Sequence, residues 1–352
     1  MKRKVYYWVF ASAVALVFTG TAIGAQKRPT TVAEIALYRG ADRKQILEEG
    51  AKKEGKLLYY TTSGEKGELR PFMDLFKKKY PYIKLEKWKG NSRQVAARIF
   101  EEYQAGRHVV DAVEATQVGH LTFRKLGILQ PFYSPGLAHM EEAGITSAPG
   151  GGALSVVYRF HGIGFGYNTK LMTKEEAPKN YQDLLDPKWK GKMALPGGGV
   201  GVNFMGALLK THGEEFVKKV AQQNFTIHTM SARALFDLVI AGEYPGSPSI
   251  LSSHVGQNKQ KGAPVDWLPL EPVALNMGAV ALPKYSSHPH AAMLLLDLRF
   301  SKEVAEIQKA YFLVPTHKDF ASESPYTKIF GAESMAEGMK WQKMYNTLFL
   351  KR

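Results

Sequence analysis

The chain has 352 residues, 45% apolar, 22% charged and 11% aromatic, an ordinary globular mixture that is too long for one small domain and short for three. Its formal net charge is +15, yet the lysines fall in short groups on helix faces (Lys52 and Lys53; Lys77, Lys78 and Lys79) with no arginine-rich or aromatic-basic stripe, so no nucleic-acid partner is expected. Cysteine is absent, which excludes disulfides and an acylated-cysteine anchor and leaves stability to the core alone.

At the start of the chain, Lys2, Arg3 and Lys4 precede the apolar run VYYWVFASAVALVFTGTAIGA. This pattern is that of a secretory signal cleaved after Gly24 or Ala25. An uncleaved anchor is the alternative, but the run from Val5 to about Phe18 is short for the roughly 20 residues of a span. Losing those three charges takes the formal charge from +15 to +12. The expected product is free in an extracytoplasmic space, most simply a bacterial periplasm. Its basic surface favours anionic ligands weakly.

Residues 41–55 have helical spacing and stop at Gly55, a natural C-terminal cap. KLLYYTTS (56–63) is expected as a buried strand opening into a polar turn. GELRPFMDLFKKKYP (67–81) places Leu69, Phe72, Leu75 and Phe76 on one helical face. A strand at 82–88, a helix at 90–106 and a strand at 108–116 follow. Residues 150–168 break the rhythm with a long β-rich run of small residues. Then come a short helix and turn (180–189), a strand (191–196), helices (201–223 and 231–244), a strand (248–255) and an extended stretch (262–272). A second long β-run, 273–284, precedes a helical region at 288–310. Two alternating α/β stretches joined by two crossings predict two lobes and a hinge, with a ligand at the carboxyl ends of the strands.

Several of these blocks carry a family likeness. ADRKQILEEGAKKEGKLLYYTT, FKKKYPYIKLE, FGYNTKLM, NYQDLLDPKWKGKMALP, KGAPVDWLPLEP, HPHAAMLLLDLRFS and VPTH resemble segments of the type II periplasmic solute-binding proteins of ABC importers, in the branch that includes ferric-ion-binding proteins. The resemblance implies an α/β fold of two lobes, each a mainly parallel sheet flanked by helices, joined by hinge strands. It implies residues 26–118 plus 276–312 as lobe I, 119–275 as lobe II, and 313–352 as a helical segment packing on both. It also implies a monomeric, non-enzymatic receptor that delivers a small solute to a membrane permease and needs no cofactor.

In GGGVG (197–201) no GK[ST] follows and the G-x-G-x-x-G spacing is absent, so no nucleotide site is expected. Two readings remain: a left-handed turn before a helix, or Gly198 and Gly199 opening a helix start to an anionic ligand, with Asn203 reaching the same pocket. The family resemblance places ligand contacts at the end of the first strand, hence Thr62 and Ser63. Ser92 with Asn91, Thr116 with Gln117, and Ser231 stand at element ends, as caps or ligand contacts. Arg159 and His161 share a strand face, where the arginine would clamp a carboxylate or phosphate or else make an interlobe ion pair.

SSHV (252–255) departs from the adjacent tyrosines of ferric-binding relatives. Serines and His254 suit hydrogen bonds to an organic anion better than a ferric site, unless Tyr133, Tyr158 or Tyr244 compensates. The ten histidines show no HExxH and no metal site is expected; Pro289 in HPH reads as a helix start. No GxSxG elbow occurs, and a periplasmic hydrolase would have to use Ser253 and His254, which adjoin in a predicted strand and so face opposite ways. The sequence therefore predicts capture of a small organic anion, with ferric-ion carriage and hydrolysis as alternatives.

Overall fold

The structure is a computed structural model that describes residues 28–351 except 66, 322–326 and 330. The expected signal segment lies outside the described residues. The first α/β stretch comprises α1 (Val32–Leu37), α2 (Arg43–Glu54), β1 (Lys56–Thr61), α3 (Leu69–Lys79), β2 (Lys84–Lys89), α4 (Ser92–Gln104), β3 (Ala112–Thr116) and α5 (Gln117–Lys125). Short strands β4 (Leu129–Gln130) and β5 (Ile145–Ser147) lead into the 16-residue β6 (Ala153–Asn168). The second stretch comprises β7 (Ala194–Pro196), α6 (Gly199–Ala221), β8 (Thr226–His228), α7 (Ala232–Ala241), β9 (Gly246–Leu251), α8 (Ser252–Lys259) and β10 (Val265–Leu268). The chain returns on β11 (Val273–Pro283) through α9 (Pro289–Arg299), α10 (Lys302–Ala310), β12 (Val314–Pro315), α11 (Lys318–Ala321) and β13 (Lys328–Ile329) to α12 (Met335–Leu348).

Local chemistry sets these boundaries. Gly55 closes α2 at φ 66°, a conformation glycine adopts without a Cβ clash. Asn91 forms a capping box with Gln94 at the start of α4. Pro289 occupies the first turn of α9, and the flanking histidines are used structurally: His288 Nδ1 meets Asp111 and His290 Nδ1 meets Glu54.

The alternation along β1 places Leu57 and Tyr59 with Phe72 and Phe76 on one sheet face, and Tyr60 with Val95, Ile99 and Phe123 on the other. A separate core gathers Phe165, Tyr167, Leu195, Phe204 and Leu208 with Trp341 and Tyr345 of α12. Both crossing strands serve the two cores. Val156 and Tyr158 of β6 enter the first core, and Ile163, Phe165 and Tyr167 the second. On β11, Val280 and Leu282 belong to the first core and Ala274 to the second.

One sheet runs in the order β10–β6–β11–β3–β1–β2, and β7 pairs with β8 separately. β1 is parallel to β2 and β3, whereas β11 is antiparallel to both β3 and β6. Mixed pairing arises because the return strand travels against its neighbours.

One boundary differs from the sequence expectation in a way that matters. The strand expected over 248–255 ends at Leu251, and Ser252, Ser253 and His254 form the first turn of α8. Ser253 and His254 are thus helix neighbours, and the strand argument about their facing does not apply.

Candidate functional site

The C-terminal ends of β1 and β3 lie beside the middle of β6, where Arg159 is in register with Gly278 of β11. A side chain at Gly278 would collide with the Arg159 guanidinium, so that glycine makes room for it. Arg159 donates from Nη2 to Ser63 Oγ at 2.7 Å and to Glu114 Oε1 at 3.3 Å. Its Nε faces the Tyr158 hydroxyl at 3.1 Å and Glu68 Oε1 at 3.4 Å. The other Glu68 oxygen accepts from Arg299 Nη1 at 2.8 Å.

Glu114, wholly buried on β3, fills the polar cup at the end of β1. It accepts from the Thr61 hydroxyl, from Thr62 N at 2.8 Å, from Ser63 N at 3.0 Å and from Thr62 Oγ1 at 3.0 Å. Burial alone would raise its carboxyl, but Arg159 and these donors hold it below the usual carboxylate range. Burial pushes the Tyr158 phenol well above its ordinary value, so it stays protonated.

A guanidinium can only donate. Because Arg159 Nη1 lies 2.8 Å from His161 Nε2, that nitrogen must accept, and the ring proton sits on Nδ1. His161 Nδ1 then donates to Ser253 Oγ at 2.6 Å. Burial, reinforced by Arg159, keeps His161 well below the ordinary histidine pKa. This serine–histidine pair has the wrong polarity for nucleophilic catalysis: the imidazole gives its proton to the serine and cannot take one from it. Hydrolysis through Ser253 and His254 finds no support either, since no side-chain hydrogen bond joins them among the described residues.

In the second stretch, β7, β8 and β9 each run into a helix start. Gly198 precedes α6 with an extended backbone (φ −109°), and neither it nor Gly199 has positive φ, so there is no left-handed turn. A Cβ at either position would meet nothing within 4 Å. These two glycines therefore serve neither turn nor packing, and leave clear space above an uncapped helix start. Asn203 lies half-buried farther along α6. Ser231 is exposed and caps α7 through Ala234 N at 3.2 Å. His254 is 9% exposed, and burial lowers it to about 3.

Thr62, Ser63 and Arg159 are thus gathered into one network, turned inward on Glu114. Ser92 Oγ and Thr116 Oγ1 bond each other at 2.8 Å beside it. Gly198 and Gly199, Ser231 and His254 occupy three separate helix starts of the second stretch. Sequence reasoning missed Glu68, Glu114, Arg299 and Arg233. A carboxylate inside the apolar strand AVEAT, and an arginine ending the apolar helix 289–299, were the available signals, because buried charges require partners.

Of the tyrosines weighed for iron, Tyr158 is committed to Glu68 and Arg159, Tyr244 bonds His228, and Tyr133 lies under Arg39. Among the described residues no three His, Cys, Asp or Glu side chains gather to hold a metal ion.

Known proteins are similar to this chain. The family model of the bacterial extracellular solute-binding proteins matches residues 118–332. An uncharacterized protein of Haemophilus influenzae is 25% identical over 194 residues, 52% of this chain, and the match spans only 56% of that relative's length. Among solved structures, the periplasmic binding protein AfuA from Actinobacillus pleuropneumoniae, with fructose-6-phosphate bound, has a TM-score of 0.70 at 19% identity, covering 85% of this chain and 100% of that one. Iron-bound HitA from Pseudomonas aeruginosa has a TM-score of 0.69 at 19% identity, covering 83% and 99%. At such identities the likeness shows the shared fold.

Proposed function

The chain belongs to the family of bacterial extracellular solute-binding proteins, and on that premise we propose that it is the receptor of an ABC importer for a small organic anion. In this reading residues 26–118 plus 276–312 form one lobe and 119–275 the other, with residues 313–352 packed against them. Bending of β6 and β11 closes the lobes on the solute and shifts the population toward a form the membrane permease accepts. The chain works as a periplasmic monomer after loss of its signal segment, and does no chemistry on its guest.

The open start of α6 at Gly198 and Gly199 carries the anionic part of the proposal. Two glycines without a conformational or packing need, at the positive end of a helix, suit an approaching anion. HitA with iron bound and AfuA with fructose-6-phosphate bound show two cargo types on this fold. Hard ferric ion needs anionic oxygen donors, and the neutral serines and histidine at the α8 start favour the organic anion.

Native mass spectrometry of the purified protein, followed by thermal-shift titration with phosphates, carboxylates and polyamines, tests this. Phosphates or carboxylates should stabilise it. Stabilisation by polyamines alone would overturn the anionic assignment, and a phenolate charge-transfer colour with ferric citrate would replace it with iron.

A further inference from the structure

We infer that the guest's anionic group is a phosphoryl or phosphonyl group held by the second lobe, on the start of α8 with Arg233 and His254, while the first lobe is closed to anions. This rests on the solute-receptor reading above and adds the start of α8 to the open start of α6 as a second holder of the same anionic group.

The first lobe's strand end is already occupied. Thr61 Oγ1, Thr62 N, Thr62 Oγ1 and Ser63 N all point at the Glu114 carboxylate. Ser63 Oγ in turn accepts from Arg159. An external anion would find these donors spent and a buried negative charge behind them.

At α8 the donors are free. Its N-cap is Leu251, which has no capping side chain, so first-turn N–H groups lack that partner. Ser252 Oγ, half-buried, accepts from Gly162 N at 3.2 Å, so its hydroxyl hydrogen remains to be given, while Ser253 Oγ is wholly buried and accepts from His161. His254, in the same turn, is nine-tenths buried and its Nδ1 has no hydrogen-bond partner among the described residues. Its ring meets His161 edge-on with centroids 6.4 Å apart, which places it beside Ser253.

Arg233 of α7 completes the cradle. Among the described residues its side chain makes one hydrogen bond, from Nη2 to Gln257 Oε1 at 2.9 Å, and no carboxylate stands within ion-pair distance of it. Asp237, one turn along, acts on it only from farther away. Arg233 is near enough to both His161 and His254 to oppose their protonation. The Ser252 hydroxyl, the first-turn N–H groups and the remaining Arg233 N–H groups outnumber the roughly four acceptor sites of a carboxylate. They match the three oxygens of a phosphoryl group, which binds readily at such a helix start.

The test titrates the signal-free protein with fructose 6-phosphate, inorganic phosphate and citrate, by calorimetry and by 15N-amide shifts. Phosphorylated probes should move the Ser253, His254 and Val255 amides, and Arg233→Gln should weaken them about ten-fold or more. The unliganded melting temperature of Arg233→Gln serves as the folding control. Shifts centred on Thr62 and Ser63, equal affinity in Arg233→Gln, or a preference for citrate would each overturn this assignment while leaving a solute receptor. Stabilisation by no anion at all, with a neutral or cationic molecule co-purifying, would overturn it together with the anionic cargo.

Discussion

The backbone N–H of Thr62 lies 2.8 Å from Glu114 Oε2, across 52 residues of sequence. That contact ties the loop after β1 to β3 and carries a buried charge with it. Removing one partner of such a buried pair costs about 3–5 kcal/mol. Glu114→Gln should lose about 3 kcal/mol of unfolding free energy in urea, because Arg159 then sits opposite a neutral amide. A loss below about 1 kcal/mol, the size of an ordinary hydrogen bond, would show the network to be dispensable.

Acid should destabilise the fold through three histidines. Burial lowers His120 to about 4 and His254 to about 3, and keeps His161 well below its usual value. All three are neutral when folded, yet take up a proton on unfolding once the pH is below about 6.5. The unfolded chain then binds more protons, so stability is full above about pH 6.5 and falls as pH drops toward the folded values. Each histidine contributes about 1.4 kcal/mol per pH unit. Urea midpoints measured between pH 7 and pH 5 should show this slope, and His120→Gln should reduce it by one proton's worth.

Two glycines on α6 should respond oppositely to the same change. A Cβ at Gly199 meets nothing, whereas one at Gly206 collides with the Trp341 ring. Gly199→Ala should leave the melting temperature unchanged or slightly raised. Gly206→Ala should cost about 1–3 kcal/mol through overpacking. Gly199→Ala should also weaken solute binding, which separates the open helix start from the packed one in a single pair of variants.

Ser253 should be unreactive. With His161 donating to it, the hydroxyl gains no nucleophilic character. A fluorophosphonate probe should leave Ser253 unlabelled in peptide mass spectra, and stoichiometric labelling there would contradict the tautomer fixed by Arg159.

The two-core organisation was legible in the chain because it is written in local periodicity, as with Leu57 and Tyr59 against Tyr60. The two long β-runs also stood out by their small residues. The site was less so. Ser252 and Ser253 are weak helix formers after the apolar run ending at Leu251, so the start of α8 reads as more strand. The inward turn of Thr62 and Ser63 depends on Glu114, and that of Arg159 on Glu68, 91 residues away. No local pattern announces such partners. Arg159 is the centre of an internal charge network, where its sequence context left a ligand clamp and an ion pair both open.

The first core joins residues 35–85 to residues 280–304, and the second joins residues 163–274 to Trp341 and Tyr345. The first core cannot be completed before residues 280–304 have been synthesised, nor the second before the last helix. Completion of the first core is thereby delayed during synthesis, since Tyr59 of β1 packs against residues more than 200 positions downstream. Contacts of such separation also make folding slow, and a slowly folding chain is one that can still be threaded through a narrow pore.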